Sequence, residues 1–135
     1  MGGLSALVYC AYAKITPRAC VANCPVCDLP YHFTERNDLP RTLYSAFSEY
    51  DGDIQSAMKT PSPIHLVDKM PDINYTIFHC DNDKAVNITK HSERFVNAMK
   101  LNRKIDFIVV PFRSHGDLSA EARVDYKNSI LKEFN

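Results

Sequence analysis

The 135-residue sequence contains no apolar run approaching the ~20 residues that a membrane-spanning helix requires. It also lacks an excess of either charge, because 16 Lys and Arg stand against 16 Asp and Glu. Nucleic-acid and anionic-membrane binders concentrate basic residues, so this balance points to a substrate or a protein partner instead. No basic segment precedes the apolar stretch that begins at Met1, as one would in a secretory signal, and the chain reads as cytoplasmic. Five cysteines are too sparse, and odd in number, for a disulfide framework. Free thiols are expected, and in a reducing compartment the sequons at Asn74 and Asn87 carry no sugar. With no repeat, low-complexity tract or linker, and 45% apolar side chains, residues 1–135 read as one domain able to bury an ordinary core.

What is present alternates between two periods. Leu4, Leu7, Val8 and Ala11 recur at helical spacing and predict a largely buried helix over 2–14, closed by Pro17. The small apolar run 20–27, bounded by Pro17 and Pro30, predicts a short buried strand. Residues 31–70 are mixed and polar and are cut by Pro40, Gly52, Pro61 and Pro63, so they read as a helical excursion from the core, with helices near 40–50 and 53–59. The segments 73–79 and 104–112 are β-branched and aromatic and predict strands. Between them Ile88, Ser92, Phe95 and Met99 fall on one face of a helix, which makes a β-α-β unit. Ala122, Tyr126, Ile130 and Phe134 line one side of a last helix that is expected to run to the C-terminus. The fold class is therefore α/β: parallel strands 20–27, 73–79 and 105–112, side by side in that order, with helices covering the faces.

In open parallel sheets the working residues lie beyond the carboxyl ends of the strands. One such loop here is His79-Cys80-Asp81-Asn82-Asp83-Lys84-Ala85-Val86, and the next is Phe112-Arg113-Ser114-His115-Gly116. An acid on one loop and a histidine on its neighbour is the pair that orients a general base, because the carboxylate fixes the imidazole tautomer and stabilises the imidazolium. The order His79, Asp83, Val86, then Ser92 and Phe95 on a helix, resembles the acid loop of α/β-hydrolases of the prolyl-oligopeptidase type, where the motif is His-Gly-x-x-Asp-x-x-Val. Ser62-Pro63-Ile64 and Ser114-His115-Gly116 fit the same family in order and spacing. Met1-Gly2-Gly3-Leu4-Ser5-Ala6 resembles the second half of its nucleophile elbow, whose serine would stand immediately before Met1.

The resemblance implies a truncated α/β-hydrolase fold and the C-terminal portion of a serine hydrolase that cleaves ester or peptide bonds. It implies Asp83 and His115 as catalytic acid and base, the backbone of Met1 at the oxyanion position, and no cofactor or metal. Cys80 stands where the family has glycine, and Asp81 is the rival acid. With the nucleophile absent from this chain, the alternative function is a non-catalytic α/β protein that keeps the fold for binding or assembly.

Other motifs compete. Cys20, Cys24 and Cys27 have spacing that can hold an iron–sulfur cluster, but that chemistry needs a large barrel. Cys24 and Cys27 resemble a redox dithiol, yet Asp28-Leu29-Pro30 reads as interrupting the helix such a dithiol requires. Zinc lacks a second Cys or His pair. The cysteines are thus expected in the core. Ser5 reads as a polar position inside the first helix. His32, His65, His79 and His91 have no partner at motif spacing and read as surface or packing residues, with His79 placed to shape the acid loop. Without a neighbour the 20–27 strand is an open edge, from which a homo-oligomer or association with a missing N-terminal half is expected.

Overall fold

A computed structural model describes residues 1–134. The helices are α1 (Gly2–Tyr12), α2 (Leu29–His32), α3 (Leu39–Ala46), α4 (Ile54–Lys59), α5 (Arg94–Met99) and α6 (Ala120–Leu131), and the strands are β1 (Ala19–Asn23), β2 (Asn74–Cys80) and β3 (Ile105–Val110). All pairings are parallel, in the order β1-β2-β3, with Val21 opposite Thr76 and Ile77 opposite Phe107. Among the described residues no helix is long and apolar enough to cross a membrane.

The central strand explains the layering. Tyr75 and Ile77 of β2 point into a cluster with Leu7 of α1 and Phe95, Val96 and Met99 of α5, whereas Phe78 and Cys80 point the other way, onto Ala122 and Tyr126 of α6. Alternating side chains thus feed two cores, so β2 is buried on both faces from Tyr75 to Cys80. Burial of each such large side chain contributes ~1.5–3 kcal/mol. A third cluster, built on Leu4, Val26, Leu29, Leu43, Met58 and Val86, fastens the 31–70 excursion over the carboxyl end of the sheet.

Several boundaries differ from the sequence expectation. β1 stops at Asn23 instead of residue 27, because Cys24 turns to φ +43° while its N–H still donates to the Phe78 carbonyl at 2.8 Å. β3 ends at Val110, since Pro111 has no N–H to continue a ladder and Phe112 adopts φ +56°. Asp28 and Pro30 start a helix where they were expected to interrupt one: the Asp28 carboxylate accepts the Tyr31 N–H at 3.1 Å, and proline occupies the first turn, where no N–H is needed. The helix expected over 88–99 opens with a π-type turn, in which the Glu93 N–H donates to the Ile88 carbonyl, before continuing as α5. The last helix ends at Leu131; Asn135, within the expected helix, lies outside the described residues.

Candidate active site

β2 and β3 are adjacent and parallel, so the loops that follow them leave the sheet at the same edge. There the His115 Nδ1–H donates to Asp83 Oδ2 at 2.7 Å. The other carboxylate oxygen, Oδ1, accepts the Ala85 and Val86 N–H groups at 2.9 Å each, an Asx turn that aims the side chain. The Asp83 side chain is wholly buried while that of His115 is 42% exposed. Burial alone would raise the Asp83 pKa, but the His115 hydrogen bond and the two amides outweigh it and hold the carboxyl below its ordinary value. Asp83 is thus an anion at neutral pH. With Nδ1 protonated toward it, neutral His115 carries its lone pair on Nε2, as a general base requires.

Asp81, the rival acid, faces solvent, and its backbone N–H is tied to the Val110 carbonyl. Cys80 is fully buried at the end of β2 and is not among the residues with positive φ, so the position makes no demand for glycine.

His115 borders two cavities. One, about 410 Å³, is lined by Met1, Gly2, Gly3, Val21, Asn23 and Tyr126. The other, about 240 Å³, is lined by Met1, Val26, Leu39, Leu43 and Val86, with His32 and Arg36 at its wall. Met1, the N-cap of α1, borders both, so the start of that helix and the exposed imidazole flank one opening. No serine is among the residues lining either cavity. Ser5 lies outward on α1, with its hydroxyl donating to the Met1 carbonyl at 3.4 Å.

Sequence spacing did not reveal two buried networks beneath this dyad. His79, fully buried, donates from Nε2 to the Val86 carbonyl at 3.1 Å and accepts the Ser92 hydroxyl at Nδ1, 2.6 Å away; Nε2 also lies 3.3 Å from Asp83 Oδ2. It therefore holds the acid loop closed from below. His91 accepts the Cys27 and Asp28 N–H groups at Nδ1 and donates from Nε2 to Glu35 Oε2 at 2.8 Å. Glu35 also accepts from His32 and from the Asn87 N–H. Burial lowers the pKa of both His79 and His91, keeping these rings neutral.

Cys24, His79 and Asp83 form one group of ligand-type atoms within 4.8 Å of one another, and His32, Glu35 and His91 form another. In His79 and His91, however, one ring nitrogen accepts a hydrogen bond and the other donates one. A neutral imidazole so engaged has no lone pair left for a cation. These groups act as braces. The five cysteines are buried free thiols.

Among solved structures, the chain is similar to a dipeptidyl peptidase 4 from Porphyromonas gingivalis, with 19% identity and a TM-score of 0.75 over 98% of this chain and 18% of that one. A puromycin-hydrolysing peptidase from Mycobacterium tuberculosis gives 18% identity and a TM-score of 0.75, over 98% of this chain and 20% of that one. An acylaminoacyl peptidase from Pyrococcus horikoshii gives 12% and 0.73, over 98% and 22%. The chain carries part of an α/β-hydrolase fold. It spans about a fifth of the length of these structures. No family model matches it, and no curated protein does. Within this hydrolase fold, Asp83 and His115 sit where the two adjacent strand ends converge.

Proposed function

We propose that this chain carries the acid–base part of a serine hydrolase of the prolyl-oligopeptidase type, acting on ester or peptide bonds. The observation that carries this reading is the 2.7 Å hydrogen bond from His115 Nδ1 to the buried Asp83, which leaves Nε2 free of that bond on a half-exposed ring that borders two cavities. His115 Nε2 takes the proton of a serine hydroxyl as its oxygen adds to the substrate carbonyl, and then returns that proton to the leaving group. Asp83 fixes the tautomer and stabilises the imidazolium. The apolar cavity of Val26, Leu39, Leu43 and Val86 accepts a substrate side chain beside the base. The solved structures named above are peptidases, which favours a peptide bond, and the free thiols fit a reducing compartment.

The nucleophile comes from outside the residues that line these cavities. Because Met1 flanks His115, a serine joined directly ahead of it stands at the base. The test is to fuse Gly-Xaa-Ser to Met1 and assay p-nitrophenyl esters. Activity that vanishes with Ser→Ala in the fusion or with His115→Ala, and falls ~10⁴-fold with Asp83→Asn, supports the reading. A folded fusion with no His115-dependent turnover sinks it and favours a non-catalytic binding protein.

A further inference from the structure

The alternation of β1 breaks just past its last residue. Cys20 and Ala22 point into the α1 core, and the same period would send Cys24 there too. Cys24 instead takes φ +43°, and its side chain joins the opposite cluster, with Phe78, Cys80, Val110 and Ala122. Its N–H still donates to the Phe78 carbonyl at 2.8 Å, which keeps Cys24 level with His79 and one residue short of Cys80 on the adjoining strand. A strand spacing of ~4.8 Å and a rise of ~3.3 Å per residue put the two Cα atoms about 5.8 Å apart, inside the ~4.4–6.8 Å that a disulfide spans. Both side chains are buried, and each thiol is a hydrogen-bond partner of the other. The positive φ thus brings together two sulfurs that a regular strand would hold on opposite faces.

The pair lies between β1 and β2, beneath the turn that carries His115. The Cys80 S–H donates to the Asp117 carbonyl at 3.5 Å, and the Asn23 side-chain amide, next to Cys24, donates to the Gly116 carbonyl at 3.4 Å. The Gly116 N–H faces both sulfurs. Residues 111–116 are exposed, so this turn is a cover that local opening can lift. Two other neighbouring thiols, Cys10 and Cys20, sit in the α1 core, where contact with solvent requires the helix to leave the sheet. Cys27 is fully buried, with its S–H donating to the Pro25 carbonyl at 3.6 Å.

We propose that Cys24 and Cys80 are a redox modification site, closing to a reversible disulfide beneath the His115 turn when the chain meets a small-molecule disulfide such as oxidised glutathione. The Cys80 thiolate attacks one sulfur of that molecule, forming a mixed disulfide and releasing one thiolate. The Cys24 thiolate then attacks the Cys80 sulfur, forming the protein disulfide and releasing the second. Two protein thiols are oxidised, one small disulfide is reduced to two thiols, and the two cysteine protons end on the released sulfurs. Burial raises the pKa of both cysteines, that of Cys24 to about 12, so the closed protein holds thiols and exchange waits for the turn to open. Oxidation removes the Cys80 S–H and with it the bond to the Asp117 carbonyl, so the turn is held less firmly. Disulfide formation is independent of the acid–base reading; only its effect on turnover rests on that reading.

The full chain, reduced and then freed of reductant, is incubated with oxidised glutathione at about 5 mM and about pH 8 for up to about a day. Remaining thiols are counted, and the link is mapped by tandem mass spectrometry of proteolytic fragments. Loss of two of the five thiols is expected, in a single Cys24–Cys80 link that dithiothreitol reverses. Amide exchange at Gly116 and Asp117 is expected to be about threefold or more faster in the oxidised protein. Cys24→Ala is expected to hold glutathione on Cys80 as a lasting mixed disulfide, because no second thiol resolves it. Should that variant not fold, the map of the unmutated chain decides. His115→Ala is expected to close the same link, so a failure of the acid–base reading leaves this result standing. No link in the folded protein, a link that joins Cys10 to Cys20 or uses Cys27, or unchanged exchange at Gly116 and Asp117 overturns the proposal.

Discussion

Asp83 uses both carboxylate oxygens: Oδ1 ties the Ala85 and Val86 amides, and Oδ2 receives His115 with His79 beside it. The residue closes its own loop and orients its neighbour, and these two roles separate by mutation. Asp83→Ala leaves the part-buried Ala85 and Val86 amides without an acceptor and removes the carboxylate beside the His79 ring, and is expected to cost about 2–4 kcal/mol in urea unfolding. His115→Ala removes a ring that is 42% exposed and whose only buried partner keeps its two amides. Its cost is expected within about 1 kcal/mol. Equal losses would mean that the imidazole is a structural brace and not a base held for chemistry.

At the scale of elements, the position of α1 decides whether anything can be presented to His115. A Cβ at Gly3 would meet the Asn23 carbonyl oxygen at 2.9 Å and Pro25 at 3.0 Å, so the first turn of α1 is seated against the loop leaving β1 only because this residue has no side chain. At Gly2 nothing lies within 4 Å. Gly3→Ala is therefore expected to destabilise by about 1–3 kcal/mol and to shift the Met1 end of the helix away from His115. Gly2→Ala, which gains helix propensity without a clash, is expected to be neutral or to stabilise by up to about 1 kcal/mol. Thermal melts of the two variants check the contrast, and a Gly3→Ala protein as stable as Gly2→Ala would show that α1 is not clamped.

For the whole molecule, the braces that fasten the excursion and the acid loop set a pH dependence. His79 and His91 are buried and neutral, with folded-state pKa values below the ordinary histidine value. The unfolded chain then binds more protons than the folded one as pH drops through the ordinary histidine range, so stability falls with acidification, by up to about 1.4 kcal/mol per pH unit for each ring. Asp83 and Glu35 have lowered pKa values despite their burial, held down chiefly by their histidine partners. Their stabilisation is present above the ordinary carboxyl pKa and is lost as pH falls through the folded value. The melting temperature is expected to decline between about pH 7.5 and 5.5 and again below about pH 4. A flat profile across the first window would show that the two rings protonate in place without disturbing the fold.

The parallel α/β architecture was legible because its signals are local. Residues 73–79 and 105–110 are β-branched or aromatic wherever both faces are covered, and the helical periods lie within single segments. Asp83 and His115 were legible as a pair only through their places at strand ends. The choice between Asp83 and Asp81, two positions apart, was not, since it depends on which carboxylate the Ala85 and Val86 amides capture and which one the neighbouring loop can reach. The same holds for the limits of β1 and β3, where Cys24 and Phe112 take positive φ values that neither residue favours by itself. Glu35 and His91 stand 56 residues apart and meet only when the excursion folds back over the sheet. Sequence alone thus determined which segments form strands and helices, through short-range periodicity; tertiary structure decided which polar groups are buried and paired, because a hydrogen bond between distant loops leaves no periodic trace in the chain.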